Sequence, residues 1–160
     1  MQVVERRRVV ENLDRRRRLR RAERLGEAVL RHTRWLPPGE AALLIGFYHA
    51  GRPPHELGAL TGLDRRAARR RIRGIAERTL RPSFLAAVRM LETAPALPDW
   101  PPAPGSLAAA RPELITLAVV RAVYIEGLSR RAAAVRLDLK EHVVRRHFDA
   151  VRGRIEAGRV

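Results

Sequence analysis

The sequence predicts an all-α protein, and three observations carry that prediction. Outside residues 93–112 the chain is dominated by good helix formers and nearly free of internal proline. No segment sustains an apolar–polar alternation of period two, as a half-buried strand would. Apolar residues recur instead at three- and four-residue steps. The expected order is an Arg-rich N-terminal helix over 1–34, a helix-turn-helix domain over 35–92, a Pro-rich linker over 93–112 and a second helix-turn-helix domain over 113–160.

The first element is expected over Val3–Arg34, which has no proline and one glycine. Its spacing is clean in the second half, where Ala22, Leu25 and Val29 share one face. The first half carries the run Arg15–Arg18, too charged to be buried. Pro37 and Pro38 are expected to end this helix.

A shift of 76 positions superposes the two halves without a gap. Tyr48 falls on Tyr124, Gly51 on Gly127, Leu63 on Leu139, Arg69 on Arg145, Arg70 on Arg146 and Arg78 on Arg154. Apolar positions correspond as well, Leu57 with Ala133, Ala68 with Val144 and Ile75 with Val151. In the first copy an apolar helix over Gly39–His49 ends at Gly51. A short helix follows over Pro54–Leu60, with Pro54 in the first turn, where a missing N–H costs nothing. Gly62 makes a tight turn by entering the left-handed region, and Asp64 caps a basic helix over Arg65–Glu77. The second copy repeats the order with Ile115–Glu126, Arg130–Arg136 and Glu141–Arg154. There Asp138 stands for the turn glycine, which Asp tolerates better than most residues. Lys140 is a poor cap where Asp64 is a good one.

Between the copies, residues 93–112 hold one acid and one base and six of the eleven prolines. Fixed φ and missing donors predict a semi-rigid, partly extended connector. Trp35 and Trp100 lie beside prolines and read as packing residues at domain edges; an exposed Trp100 would instead anchor a partner.

Charge narrows the function. The chain carries 33 basic and 17 acidic residues, a formal +16, and all the bases but Lys140 are Arg. A GC-rich genome explains Arg over Lys but not the excess of base over acid. That excess is the footprint of a polyanion partner, nucleic acid before an anionic membrane or an acidic protein. Without Cys there are no disulfides, thiolate zinc sites or cysteine nucleophiles. The five His show no metal-ligand spacing, and there is no Gly-rich phosphate loop, nucleophile elbow or convincing acid pair. Neither enzyme activity nor a cofactor or metal is expected. The longest apolar stretch, around Ala41–Tyr48, falls far short of the roughly 20 residues that span a bilayer.

The stretch Leu36-Pro-Pro-Gly-Glu-Ala-Ala-Leu-Leu, then His55-Glu-Leu-Gly-Ala-Leu-Thr-Gly-Leu-Asp, then Ala67-Ala-Arg-Arg-Arg-Ile resembles region 4 of sigma-70-type factors. The likeness covers about residues 36–80, with a weaker copy over 113–156. Both copies depart from the family at the start of the second helix, having Ala67-Ala68 and Val143-Val144 in place of Thr-Val. Copy two also has Ala132 where the helix Glu is matched by Glu56. The chain is similar too to phage antitermination proteins and late-gene regulators. The resemblance implies a transcription regulator that binds double-stranded DNA and RNA polymerase, in the bacterial cytoplasm at the nucleoid. Alternatives are a phage-type antiterminator, a DNA-packaging or transposition adaptor, and a module that binds only protein.

In this reading Arg65, Arg66, Arg69, Arg70 and Arg73 contact DNA in copy one, Arg being the commonest reader of guanine O6 and N7. The candidates in copy two are Lys140, Glu141, His142, Arg145 and Arg146. The cluster Arg15, Arg16, Arg17, Arg18, Arg20 and Arg21 suits a solvated face, an arm on DNA or RNA, or a polymerase contact. The oligomeric state is not fixed by the sequence.

Overall fold

The computed structural model describes residues 22–157, all helices and turns, with no strand among them. Residues 22–30 form α1, so the described part of the expected N-terminal helix stops before Pro37 and Pro38. It ends where Thr33 Oγ1 donates to the Leu30 carbonyl at 2.8 Å, and a single tight turn over Thr33–Trp35 follows. Then come α2 (Pro38–Leu44), α3 (Pro54–Thr61), α4 (Arg65–Thr79), α5 (Pro82–Thr93), α6 (Pro112–Val120), α7 (Arg130–Leu137) and α8 (Glu141–Glu156).

The 76-residue repeat is visible in the backbone. Both α2 and α6 widen in their last turn, over Ile45–His49 and Arg121–Ile125, into five-residue hydrogen bonds. Ala50 N–H donates to Ile45 C=O and Glu126 N–H to Arg121 C=O, each at 3.0 Å. The next helices occupy matching positions, 54–61 and 130–137, and α4 and α8 start at 65 and 141. Each tight turn between them closes on a left-handed residue, Gly62 at φ 68° and Asp138 at φ 50°. Leu63 N–H then donates to Gly58 C=O, and Leu139 N–H to Ala134 C=O.

Contacts divide the chain into two units. One holds the described residues up to Arg34 with Gly39–Ile72; the other holds Trp35–Pro38 and the described residues from Arg73 on. The division falls inside α4, not at the Pro-rich stretch. The physical reason is α5, which the sequence does not single out. Its Phe84, Ala87, Val88 and Leu91 are buried, and α5 packs against α6, the wide turn after it and α8.

In the first unit the core is Val29, Leu43, Leu44, Leu57, Ala68 and Ile72. There α3 packs against the wide turn of α2, and α1 meets that turn where Gly26 faces the Tyr48 ring.

The expected connector also differs. Leu107 is 3% exposed in a cluster with Ile115, Ala118, Ala122, Ala133 and Leu137, and Trp100 and Ala110 pack on it. Composition alone argues for an extended spacer; burying a leucine and an indole outweighs that tendency. Trp100 donates its indole N–H to Glu126 Oε1 at 2.9 Å, and Arg121 sits 4.6 Å over its ring. Through Leu107, with Trp100 and Ala110 beside it, the Pro-rich stretch is thus anchored on the second unit's core.

Candidate nucleic-acid interface

The helix α4 is amphipathic in the simplest way. At 100° per residue, Arg65, Arg66, Arg69, Arg70 and Arg73 fall within an arc of roughly 140°, and Ala68, Ile72, Ile75, Ala76 and Thr79 fall within an adjoining arc of roughly 100°, the two meeting at Arg65 and Ala76. The structure follows that division: the five arginines are exposed and the other five residues buried. Asp64 caps the helix as its sequence position implies. Its Oδ1 accepts from the backbone N–H groups of Arg66 and Ala67 at 2.7 and 2.9 Å. Those two bonds, with the charge of Arg70 nearby, hold its carboxyl below the usual carboxylate range.

Apart from that cap, α4 is electrostatically unfavourable. No acid lies in its first turn, where the helix dipole favours one, and Arg65 and Arg66 stand there instead. Arg65 and Arg69, Arg66 and Arg70, and Arg69 and Arg73 are like-charged neighbours at four-residue spacing. Only at the end of this row is there relief, where Arg73 Nε lies 3.7 Å from Glu77, both side chains being well exposed. Arg71, which the sequence reading passes over, lies off this arc and reaches Glu40 at 4.0 Å. Its place in the run 69–71 hides that it faces another way.

The same five positions on α8 are Glu141, His142, Arg145, Arg146 and Asp149, all exposed. Their formal charges cancel, where those of α4 sum to +5. Glu141 occupies the first turn, and Arg145 pairs with Asp149 at 3.9 Å. Lys140, at the cap, makes no side-chain bond to the helix end. The duplicated surface is therefore polycationic in one copy and self-neutralised in the other.

Between α8 and α6 lies a polar contact with no sequence signal beyond helical spacing. His147 is 6% exposed, and its Nδ1 is 2.8 Å from Thr116 Oγ1. His142, five residues earlier, is exposed, as that spacing predicts.

The cluster Arg15, Arg16, Arg17, Arg18, Arg20 and Arg21 lies outside the described residues. Among the described residues no group of three or more His, Asp or Glu is placed to hold a metal ion. No described helix is long and apolar enough to cross a membrane. What α4 offers chemically is a row of always-charged, fork-shaped donors, suited to phosphate oxygens and to the guanine edge. No protein-family model, no curated protein and no solved structure matches this chain.

Proposed function

We propose that the protein is a DNA-binding transcription regulator whose first helix-turn-helix, α3 and α4, lays α4 in the major groove. The observation that carries this reading is the exposed face of five arginines on α4. A helix whose exposed side chains repel one another and its own dipole gains from a polyanion that neutralises them. The short turn at Gly62 and the burial of the adjoining apolar face fit the motif in which a second helix is presented to DNA. The resemblance to sigma region 4 adds RNA polymerase as a second partner and the nucleoid as the place of action.

The test is fluorescence anisotropy of a labelled duplex titrated with the full chain at about 50 and 200 mM salt. Binding that falls steeply with salt, and that Arg69→Ala with Arg70→Ala weakens at least tenfold, supports the reading. Unchanged affinity in that variant sinks α4 as the DNA helix.

The neutral face of α8 favours a second arrangement, in which α4 holds DNA and α8 meets protein, as in a phage-type antiterminator. Co-purification with core RNA polymerase, lost when Arg145 and Arg146 are replaced but kept when Arg69 and Arg70 are, distinguishes it.

A further inference from the structure

The two copies also differ in a groove between their first two helices. In the first unit, α2 with its wide turn and α3 enclose an open cleft of about 560 Å³. Its walls include Leu43, Gly46, Leu57 and Leu60, and Arg52 is its only charged lining residue. Leu60 and Ile45 on its lip are 70% and 43% exposed, unusual for large aliphatic side chains beside a core.

Moved by 76 positions, these residues land in the core of the second unit. Leu43, Gly46 and Leu57 become Val119, Ala122 and Ala133, which pack around Leu107. Ile45 and Ala50 become Arg121 and Glu126, which hold Trp100 by its ring face and its indole N–H. Leu60 becomes Arg136, which lies 3.6 Å from Glu126. The second copy thus fills this groove with its own Leu107 and Trp100, whereas among the described residues nothing fills it in the first copy.

We infer that the open groove of the first copy is a docking site for an extended apolar segment of a partner polypeptide, anchored by a leucine and an aromatic side chain. The occupant's chemistry is read from the filled copy, where Leu107 and Trp100 are the anchors. Its charge is read from the groove: Arg52 at the wall and a chain of net +16 favour an acidic residue beside the anchors. Asp99 beside Trp100 gives the segment of the second copy that same pattern. In the first copy Ile45 and Leu60 replace the charged pair Arg121 and Arg136, so its groove relies more on apolar contact. This inference does not depend on DNA binding.

A synthetic peptide with the sequence of residues 97–111 is the probe, titrated into the isotope-labelled full chain and followed by amide NMR shifts. Saturable shifts in residues 39–46 and 57–61, lost when the peptide's Leu107 is replaced by Asp, support the inference. Leu60→Asp, which places a charge on the exposed apolar lip, is expected to raise the Kd about tenfold. No saturable shift overturns the inference. So does binding indifferent to Leu60→Asp, or shifts confined to residues 115–137, which mean exchange at the filled groove. If DNA binding fails while the peptide binds, only the transcription reading falls.

Discussion

The hydroxyl of Thr116 fixes the tautomer of His147. Thr116 Oγ1 donates its one proton to the Pro112 carbonyl at 2.9 Å, so it accepts from His147 Nδ1–H. That leaves Nε2 as the bare nitrogen, buried and without a hydrogen-bond partner. A proton added there gains no acceptor. Burial, and next the charge of Arg146, lower the His147 pKa below its ordinary value. The unfolded chain therefore binds this proton more readily than the folded one. Stability from this site is fully present above the unfolded value of about 6.5 and is lost as pH falls through it toward the lower folded value. Thermal unfolding from pH 8 to pH 5 should show a Tm falling by a few degrees across the lower half of that range. His147→Phe should flatten that part of the profile.

Gly46 and Leu57 are a matched pair in which one residue supplies the bulk and the other the space. A Cβ at position 46 would stand 2.7 Å from Leu57 Cδ2, in a side chain that is 4% exposed. The second copy divides the volume differently, as Ala122 and Ala133. Gly46→Ala is expected to destabilise by about 1 kcal/mol, overpacking outweighing the helix propensity that alanine adds. In a Leu57→Ala background the clash is gone, and the same change should stabilise by up to about 1 kcal/mol. Urea unfolding of the four proteins checks this reversal of sign; equal effects in both backgrounds would refute the pairing.

The charge contrast between α4 and α8 predicts unequal salt dependence. Replacing Arg69 and Arg70 by Ala should lower the slope of log affinity against log salt by about two. The same replacements at Arg145 and Arg146 should lower it less, because Arg145 is already paired with Asp149. Conversely, Asp149→Arg, which gives α8 the residue found at Arg73, should raise the slope by about one. Anisotropy titrations at four salt concentrations measure all three.

Glu126 holds together the polar rim of the second unit. Its side chain is 7% exposed, accepts from Trp100 Nε1 and lies 3.6 Å from Arg136 Nε. Glu126→Ala is expected to cost about 2 kcal/mol, since it strands a half-buried indole donor and removes the acid that offsets the burial of Arg121. The near-UV circular dichroism of tryptophan should weaken in parallel, because Trp100 loses its fixed orientation. Trp100→Phe should cost less, since Glu126 keeps Arg136.

Local signals carried much of the fold. The turn at Gly62, its counterpart at Asp138 and the cap at Asp64 are each set by one residue's conformational or hydrogen-bonding preference, and each stands where the sequence placed it. The limits of α3, α4, α7 and α8 lie within a few residues of the expected ones because Pro54 and the turn residues mark them. The wide turns over Ile45–His49 and Arg121–Ile125 had no such marker, since any residue makes a five-residue backbone bond. Trp100 packs as its place beside prolines suggests, but nothing in the composition showed that Leu107 leaves the Pro-rich stretch for the core; that depends on a groove assembled from other segments. The exposed arginines of α4 followed from helical period alone. The buried place of His147 was within reach of the same period, being three residues from Val144 and four from Val151. The open groove of the first copy was not, because only the filled one reveals what it lacks.

The wide turns set how each copy presents its last two helices. A five-residue bond adds a residue to a helical turn and rotates all that follows. It stands at Ile45 and, 76 positions on, at Arg121, so α3 and α7 each leave the preceding helix through the same kind of turn. On that shared scaffold single positions set the surfaces apart: with Arg136 and Asp149 the second copy carries charges that pair within it, and with Leu60 and Arg73 the first presents an apolar lip and a cationic helix face.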